Sequence, residues 1–418
     1  MPQTTTTAIL HDSNSSIDSA LGTAVANPAS TQRALPCLDT RIFAAYHGTQ
    51  LLVIQHLRRH LRRPPAREFL LWHPFENNPA VDRFMHAVVL EAGFDGTLDM
   101  RNFESLKPRT QGSLAWWFES ARRLRRDASA LRAWMAENGI DETTVELWAD
   151  DPLHFYAIFP RAVLCRACQI KIPHCFNHED SLSVDAKQGL EASWAAVSWP
   201  KKYFFMPWQR WTSGVDMRME RIVYDRAYTF ASPSPWSANS LDLSALIAAD
   251  AFAGTYGGLP RAMRAEVDTL LAPVRASAKP LVLLLLFGLG EDDAFRTRYQ
   301  RAMARLFSEH AAELQGGSLV VKWHPGASGE QEPLLVEWLR NNISAQVHEI
   351  RHPLNLEFML PQLQPDYVVA GLCGSLPIVR DLGAGRPIII AEWLDQYLAE
   401  RPGERHAVTQ FLRGIEVW

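Results

Sequence analysis

"VVKWHPGASGE" (residues 320–330) closes an apolar run with a lysine, a tryptophan, a histidine and a proline, then opens into small and polar residues. A short run that is apolar on both faces marks a strand inside a parallel sheet, covered above and below by helices. In such sheets ligands gather beyond the carboxyl ends of the strands, which is where His324 and Pro325 fall. Outward from this stretch, "PLVLLLLFG" (280–288) reads as a second buried strand, 294–314 as a helix and 331–341 as another. The strands "AQVHEI" (345–350), "DYVVAG" (366–371) and "RPIIIAE" (386–392) follow, with helices near 354–363 and after Gly374-Ser375 between them. Alternation of this kind is the pattern of a doubly wound α/β domain.

The first half repeats the pattern less plainly. "RIFAAYHGTQLLVIQHLRRHLRR" (41–63) starts as a strand, turns at His47-Gly48-Thr49-Gln50, and continues with Leu51, Ile54, Leu57 and Leu61 at helical spacing. "REFLLWHPF" (67–75) and "TTVELWADD" (143–151) read as strands, with a basic helical stretch over 113–139. From 184 to 240 the chain reads as irregular, carrying Trp194, Trp199, Trp208, Trp211 and Trp236 among prolines, and 258–280 reads as a helical connection. The fold class is therefore α/β, with two Rossmann-like doubly wound domains facing across a cleft. Residues 39–275 form the first, an acceptor domain, and 276–418 the second, a nucleotide-sugar domain; a Ser/Thr-rich leader over 1–38 reads as disordered. No G-x-G-x-x-G or G-x-x-x-x-G-K-[ST] motif is present, which turns the reading from dehydrogenase or ATPase toward a nucleotide-sugar transferase.

Composition narrows the class without naming a partner. Hydrophobic residues make up 47% and charged residues 21%, with a formal charge of -4, which is the balance of a globular protein and not of a nucleic-acid binder. No apolar run approaches the roughly 20 residues a bilayer span needs, and the leader lacks a signal peptide's cationic start and apolar centre, so the expected location is the cytoplasm. Five cysteines in a long chain argue against a disulfide framework. Cys165, Cys168, Cys175 and His178 have a spacing that zinc could use, but the residues between them are apolar and strand-like, which favours inert thiols.

Three groups of residues carry chemistry. Lys322 and His324 alternate along one strand and so share a side, while Pro325 restrains the backbone of His324. Gly374 and Ser375 stand at a strand-to-helix turn, where free N–H groups and the helix dipole favour a phosphate; the same atoms serve an ordinary N-cap. Glu179 and Asp180 are adjacent carboxylates in the loop "FNHEDSLSV" (176–184), where mutual repulsion raises one pKa and suits a general base; a solvated turn is the plainer alternative. Glu349, near a strand end, is placed to accept ribose hydroxyls. Of the other His-Pro pairs, His73-Pro74 reads as structural, and His352-Pro353 as a helix start that also offers a cytidine contact.

In this order, Glu179-Asp180-Ser181, His324-Pro325 and Gly374-Ser375 resemble the acid-acid-Gly, His-Pro and Ser-Ser/Thr motifs of bacterial sialyltransferases of the two-Rossmann (GT-B) type, closest to the capsule polysialyltransferase family. Ser181 replaces the family's glycine and Gly374 the first of its hydroxyl pair. The resemblance implies an inverting transfer of sialic acid, or a related acidic sugar, from a CMP donor to a surface-glycan or lipid-linked acceptor of capsule or lipopolysaccharide. It implies Glu179, with Asp180 beside it, as base toward the acceptor hydroxyl, His324 as donor to the departing phosphate, and Ser375 as phosphate holder. No metal or cofactor is implied beyond the CMP-sugar substrate.

On the acceptor side stand His47, Gly48 and Gln50 in the first loop, and Trp208 and Trp211 in the tryptophan-rich segment. Arginine-dense stretches at 56–67 and 121–132 read first as solvated faces, and second as a surface for anionic inner-membrane lipid or a polyanionic acceptor. Two alternatives stay open on the residues alone: a Kdo or CDP-glycerol-type polymer transferase, and a non-catalytic nucleotide-binding scaffold of capsule assembly.

Overall fold

Short apolar strands alternate with helices along the chain, and each strand pairs with its neighbours in parallel register. The computed structural model describes residues 38–46, 48–60, 66–73, 79–106, 114–149, 155–172, 195, 198–216, 224–229, 240–242, 259–277, 279–286, 293–324, 331–352, 354, 356–373, 375–400, 408–409 and 412–418. The leader expected over 1–38 lies outside them except for Leu38.

The first sheet holds β1 (Thr40–Ala45), β2 (Arg67–Trp72), β3 (Gly96–Asp99), β4 (Val145–Ala149), β5 (Cys168–Lys171), β6 (Arg226–Thr229) and β7 (Ser240–Asp242), in the order β3-β2-β1-β4-β5-β6-β7. The second holds β8 (Leu281–Leu285), β9 (Ser318–Lys322), β10 (Gln346–Ile350), β11 (Tyr367–Ala370), β12 (Arg386–Ile389) and β13 (Glu416–Val417), in the order β10-β9-β8-β11-β12-β13. Both follow the Rossmann progression, in which the chain works outward from a central strand, returns, and works outward the other way. The two switch points, between β1 and β4 and between β8 and β11, leave crevices at the carboxyl ends. The α/β class with two Rossmann-like sheets is thus the observed one.

Helix coverage on both faces explains why the central strands, such as β1 and β8, are apolar on both sides. On β8, Leu281, Leu283 and Leu285 pack into one cluster while Val282 and Leu284 pack into another on the opposite face. On β1, Phe43 and Ala45 face one cluster and Ile42 and Ala44 a second. Each fully buried leucine, isoleucine or phenylalanine contributes about 1.5–3 kcal/mol of transfer free energy, so a substitution on either side of these strands is felt.

Two differences from the sequence reading stand out. Residues 199–213, read as irregular, form a π turn at Lys201–Phe205 that runs directly into a helix at Met206–Ser213. Pro200 and Pro207 had suggested a break, but each sits at the start of its element, where a missing N–H costs little. The helices Pro79–Glu91 and Phe155–Val163 and the strands β3, β6, β7 and β13 also go beyond the sequence reading.

At the amino ends of the first sheet, charges are buried instead of apolar groups. The Arg41 Nε atom donates to Glu146 Oε2 at 2.9 Å, and both side chains are almost fully buried. Trp148 Nε1 donates to the same oxygen at 3.0 Å, and Arg226 lies 3.8 Å from the other. Glu68 bridges Arg41 to Arg58, whose remaining nitrogens cap Ala92 O and Gly93 O. Removing one partner of such a network strands the others without water. Glu146→Ala should therefore cost about 3–5 kcal/mol in a urea titration, whereas Glu309→Ala, which breaks the exposed Arg305–Glu309 pair, should cost under about 0.5 kcal/mol.

Candidate functional site

Register fixes where the second sheet's carboxyl edge lies. Leu285, Lys322 and Ile350 stand in one row, and Ala370 pairs with Leu285 on the other side. The residues that follow are Trp323-His324 after β9, Arg351-His352 after β10, and the turn from Gly371 to the helix Ser375–Leu382 after β11. β9 and β11, the strands that lead to His324 and Ser375, are two strand spacings apart, about 10 Å, on either side of β8. Ser375 opens its helix, and the Leu376 N–H closes the turn onto Cys373 O at 3.1 Å.

Lys322 is almost fully buried, and its ammonium donates to Trp323 O at 2.7 Å and to His352 O at 2.8 Å. It therefore ties the exit of β9 to the exit of β10. His352 is likewise buried, and its Nδ1 accepts from Leu354 N–H at 3.0 Å, which places the proton of the neutral ring on Nε2. Burial first, and the Lys322 charge second, push its pKa down to about 4. His324 is solvent-exposed, yet desolvation at the strand ends and then the Lys322 charge also hold it below the ordinary histidine value. Both imidazoles are accordingly neutral at pH 7 and act as hydrogen-bond donors in that form.

Beside them, Glu349 is held by two guanidiniums: Arg340 on Oε1, and Arg351 on Oε2 through Nε at 2.9 Å and Nη2 at 2.7 Å. Arg351 in turn lies 3.8 Å over the ring of Trp323. A cleft of about 530 Å3 opens between this strand exit and the helix Arg261–Arg275, lined by Glu266, Thr269, Leu270, Glu349, Arg351 and His352. Its size is that of a small-molecule site. Glu266 Oε1 stands 3.8 Å from His352 Nε2, at the rim.

Of the residues singled out from sequence, Lys322, His324, Glu349 and Ser375 fall along this edge. The side chain of Lys322 is engaged with backbone carbonyls, so its positive charge reaches the site through space. Pro325, Gly374, Glu179, Asp180 and His47 lie outside the described residues. Gly48 begins the helix Gly48–His60 after β1, and Gln50 in its first turn is fully buried, with Oε1 accepting from Tyr46 N–H at 3.0 Å and Nε2 without a partner among the described residues. Trp208 and Trp211 lie on the helix Met206–Ser213, with Trp211 82% exposed. Sequence reasoning missed Arg351, Arg340 and the three cleft residues of the linking helix. Arg351 could have been found as the residue that alternates with Glu349 beyond the strand end.

The zinc spacing gains nothing from the described part. Cys168 begins β5 and Cys165 lies in the turn before it, while Cys175 and His178 are outside the described residues. Burial, and then Asp225, push the Cys168 thiol up to about 11, away from the thiolate that zinc requires. No group of three potential ligands gathers among the described residues.

No family model matches the chain, and no curated protein matches it. The likeness to capsule polysialyltransferases therefore rests on the motif residues alone. Among solved structures, an α/β-galactoside α-2,3-sialyltransferase from Photobacterium phosphoreum is similar at 12% identity, over 90% of this chain and 98% of that one, with a TM-score of 0.47. A UDP-GlcNAc 2-epimerase from Neisseria meningitidis, bound to UDP-GlcNAc, is similar at 12% identity over 84% and 82%, with a TM-score of 0.45. A UDP-glucosyltransferase from Polygonum tinctorium stands at 12% identity over 82% and 76%, with a TM-score of 0.43. A shared fold does not fix a reaction, which has to be argued from the site's own residues.

The His352 shift has a measurable consequence. Its folded pKa of about 4 lies below the ordinary histidine value of 6.5, so the native state resists protonation and loses stability as pH falls from 6.5 to 4. That loss, on the order of 3 kcal/mol, should be largely absent in His352→Gln when urea midpoints are compared across this window.

Proposed function

We propose that the protein is an inverting glycosyltransferase that moves a sialic acid, or a related acidic sugar, from a CMP donor to a glycan or lipid-linked acceptor. The observation that carries the reading is the convergence, on one carboxyl edge, of an exposed neutral histidine after β9, a nucleoside-sized cleft after β10, and a serine-headed helix start beyond β11. This is the polarity a nucleotide monophosphate donor would need: base and ribose toward the cleft, phosphate toward Ser375 at the positive end of its helix. Glu349 keeps one acceptor site, on Oε1, for a ribose hydroxyl although it accepts one hydrogen bond from Arg340 and two from Arg351, because a carboxylate accepts about four.

In the reaction, the acceptor hydroxyl oxygen bonds to the anomeric carbon as the bond from that carbon to the CMP phosphate oxygen breaks. Glu179, with Asp180 adjacent, takes the hydroxyl proton, and the departing phosphate receives a hydrogen bond from His324. Lowered basicity suits His324 to that part, since a neutral ring donates without first having to be charged. A single phosphate and the absence of a D-x-D pair at a strand end accord with a mechanism that uses no metal. CMP-Kdo and CDP-glycerol are the competing donors.

Incubation with CMP-sialic acid, CMP-Kdo, CDP-glycerol, UDP-glucose and UDP-GlcNAc, with released nucleotide measured, tests the reading directly. CMP-sialic acid alone should be consumed quickly; preferential turnover of any other member refutes the sialyl assignment. His324→Ala should lower kcat by about 10²–10⁴, whereas His73→Ala should leave it within a few-fold. Activity should hold as pH rises from 6.5 to 8, because the working form of His324 is neutral; a falling limb with a pKa near 7 would show that the imidazolium is required.

A further inference from the structure

The segment "WPKKYFFMPWQRWTSG" (199–214) contains no acidic residue, and its aromatic rings point outward. Trp199 is 63% exposed, Tyr203 60%, Phe204 61% and Trp211 82%. Trp199 lies beside two of the others, with ring centroids 5.2 Å from Phe204 and 6.0 Å from Tyr203, next to the π turn at Lys201–Phe205. The helix Met206–Ser213 then seats itself on the long helix Leu114–Glu137: Trp208 meets Phe118 edge-on at 4.8 Å, Gln209 Nε2 donates to Ser120 Oγ at 3.4 Å, and Arg132 reaches Gly214 O. Phe118 is itself 60% exposed, so the apolar surface continues onto the long helix.

Helical spacing extends it further. Arg122 and Arg125 follow Phe118 at i+4 and i+7 and therefore share its face, and neither forms an ion pair among the described residues. Arg123 and Arg126, turned to the flank, are neutralised by Glu104, Glu119 and Asp127. The result is an exposed aromatic face with Lys201, Lys202 and Arg210 among its rings, Arg210 standing 3.5 Å from Asp216, and with Arg122 and Arg125 at its border. Exposed aromatic area of this extent calls for a partner. Tryptophan and tyrosine interleaved with lysine and arginine is the composition that settles at the boundary between lipid headgroups and acyl chains.

We infer that this face is a docking surface for a bilayer rich in anionic lipid, with the aromatic rings entering the headgroup region and the cations lying against lipid phosphates. A sugar platform would need rings set in a common plane; here Trp199 is inclined at 45° to Tyr203 and 69° to Phe204. A second copy on the same face would bring two uncompensated positive borders together. The arginine run at 56–67 is not part of this surface in its described portion: Arg58 is bound to Glu68, Ala92 O and Gly93 O, and Arg67 to Asn138 O.

Flotation of the full chain with vesicles tests the assignment. Vesicles of phosphatidylcholine and phosphatidylglycerol should carry the protein up the gradient, pure phosphatidylcholine much less, and added salt should release it. Trp199→Ser/Phe204→Ser/Trp211→Ser and, separately, Arg122→Glu/Arg125→Glu should each weaken partitioning by about tenfold or more with an unchanged melting temperature, since all these side chains are exposed. Lipids brominated near the headgroup should quench tryptophan emission in the natural chain and less in Trp199→Phe/Trp211→Phe. Variants that float like the natural chain, or a natural chain that ignores anionic vesicles, overturn the proposal. So does an equal loss of binding to soluble dextran sulfate in the aromatic variant, which would make the surface a polyanion site, or a dimer that the aromatic variant turns into monomer without any vesicle binding.

Discussion

A buried ammonium group organises the candidate site. Lys322 Nζ holds the carbonyls of Trp323 and His352, and thereby locks together the first residues beyond two adjacent strands. An unshielded positive charge at that depth would be costly, and hydrogen bonds to carbonyl oxygens offset part of the cost. Desolvation first, and this charge second, lower the basicity of His324 and of His352. One side chain thus fixes backbone geometry and adds to the shift of both rings.

The two sheets divide their polar groups by end. At the amino ends of the first sheet, Arg41, Glu146, Glu68 and Arg58 are joined into one ion-pair network with little exposure. At the carboxyl ends of the second sheet, side chains are paired on one side and open on the other: Glu349 against its arginines but facing a cleft, His352 against Leu354 N–H but with Nε2 toward the rim. Satisfied networks favour rigidity, and partly open ones favour binding. Parallel sheets place the second kind at the carboxyl edge because loop and helix N–H groups point there.

The amount of this that could be read from sequence depended on how strongly each segment is constrained. The strands around Leu283, Val320 and Val369 are buried on both faces, so their apolar runs have no other explanation, and the structure puts strands there. β6, β7 and β13 are short and carry Arg226, Ser240 or Glu416, so they left no periodic signal. The helical character of 199–213 was hidden because its prolines occupy starting positions and its aromatic residues face solvent, reversing the usual polarity of an amphipathic segment. At the site, His324 and Ser375 were legible because strand ends and helix starts can be located from pattern. The fixing of Lys322 by His352 O was not, since it joins residues separated by the entire excursion through helix and strand.

β10 forms the outer margin of the second sheet, and its ladder partner is on one side only. On that margin Glu349 sits between Arg340 and Arg351, a salt-linked cluster carrying one surplus positive charge. A bare strand margin is the usual seed for chains annealing to one another, and two copies meeting here would have to break these contacts and bring like charges face to face. Charge of this kind on a sheet margin disfavours edge-to-edge pairing of two copies.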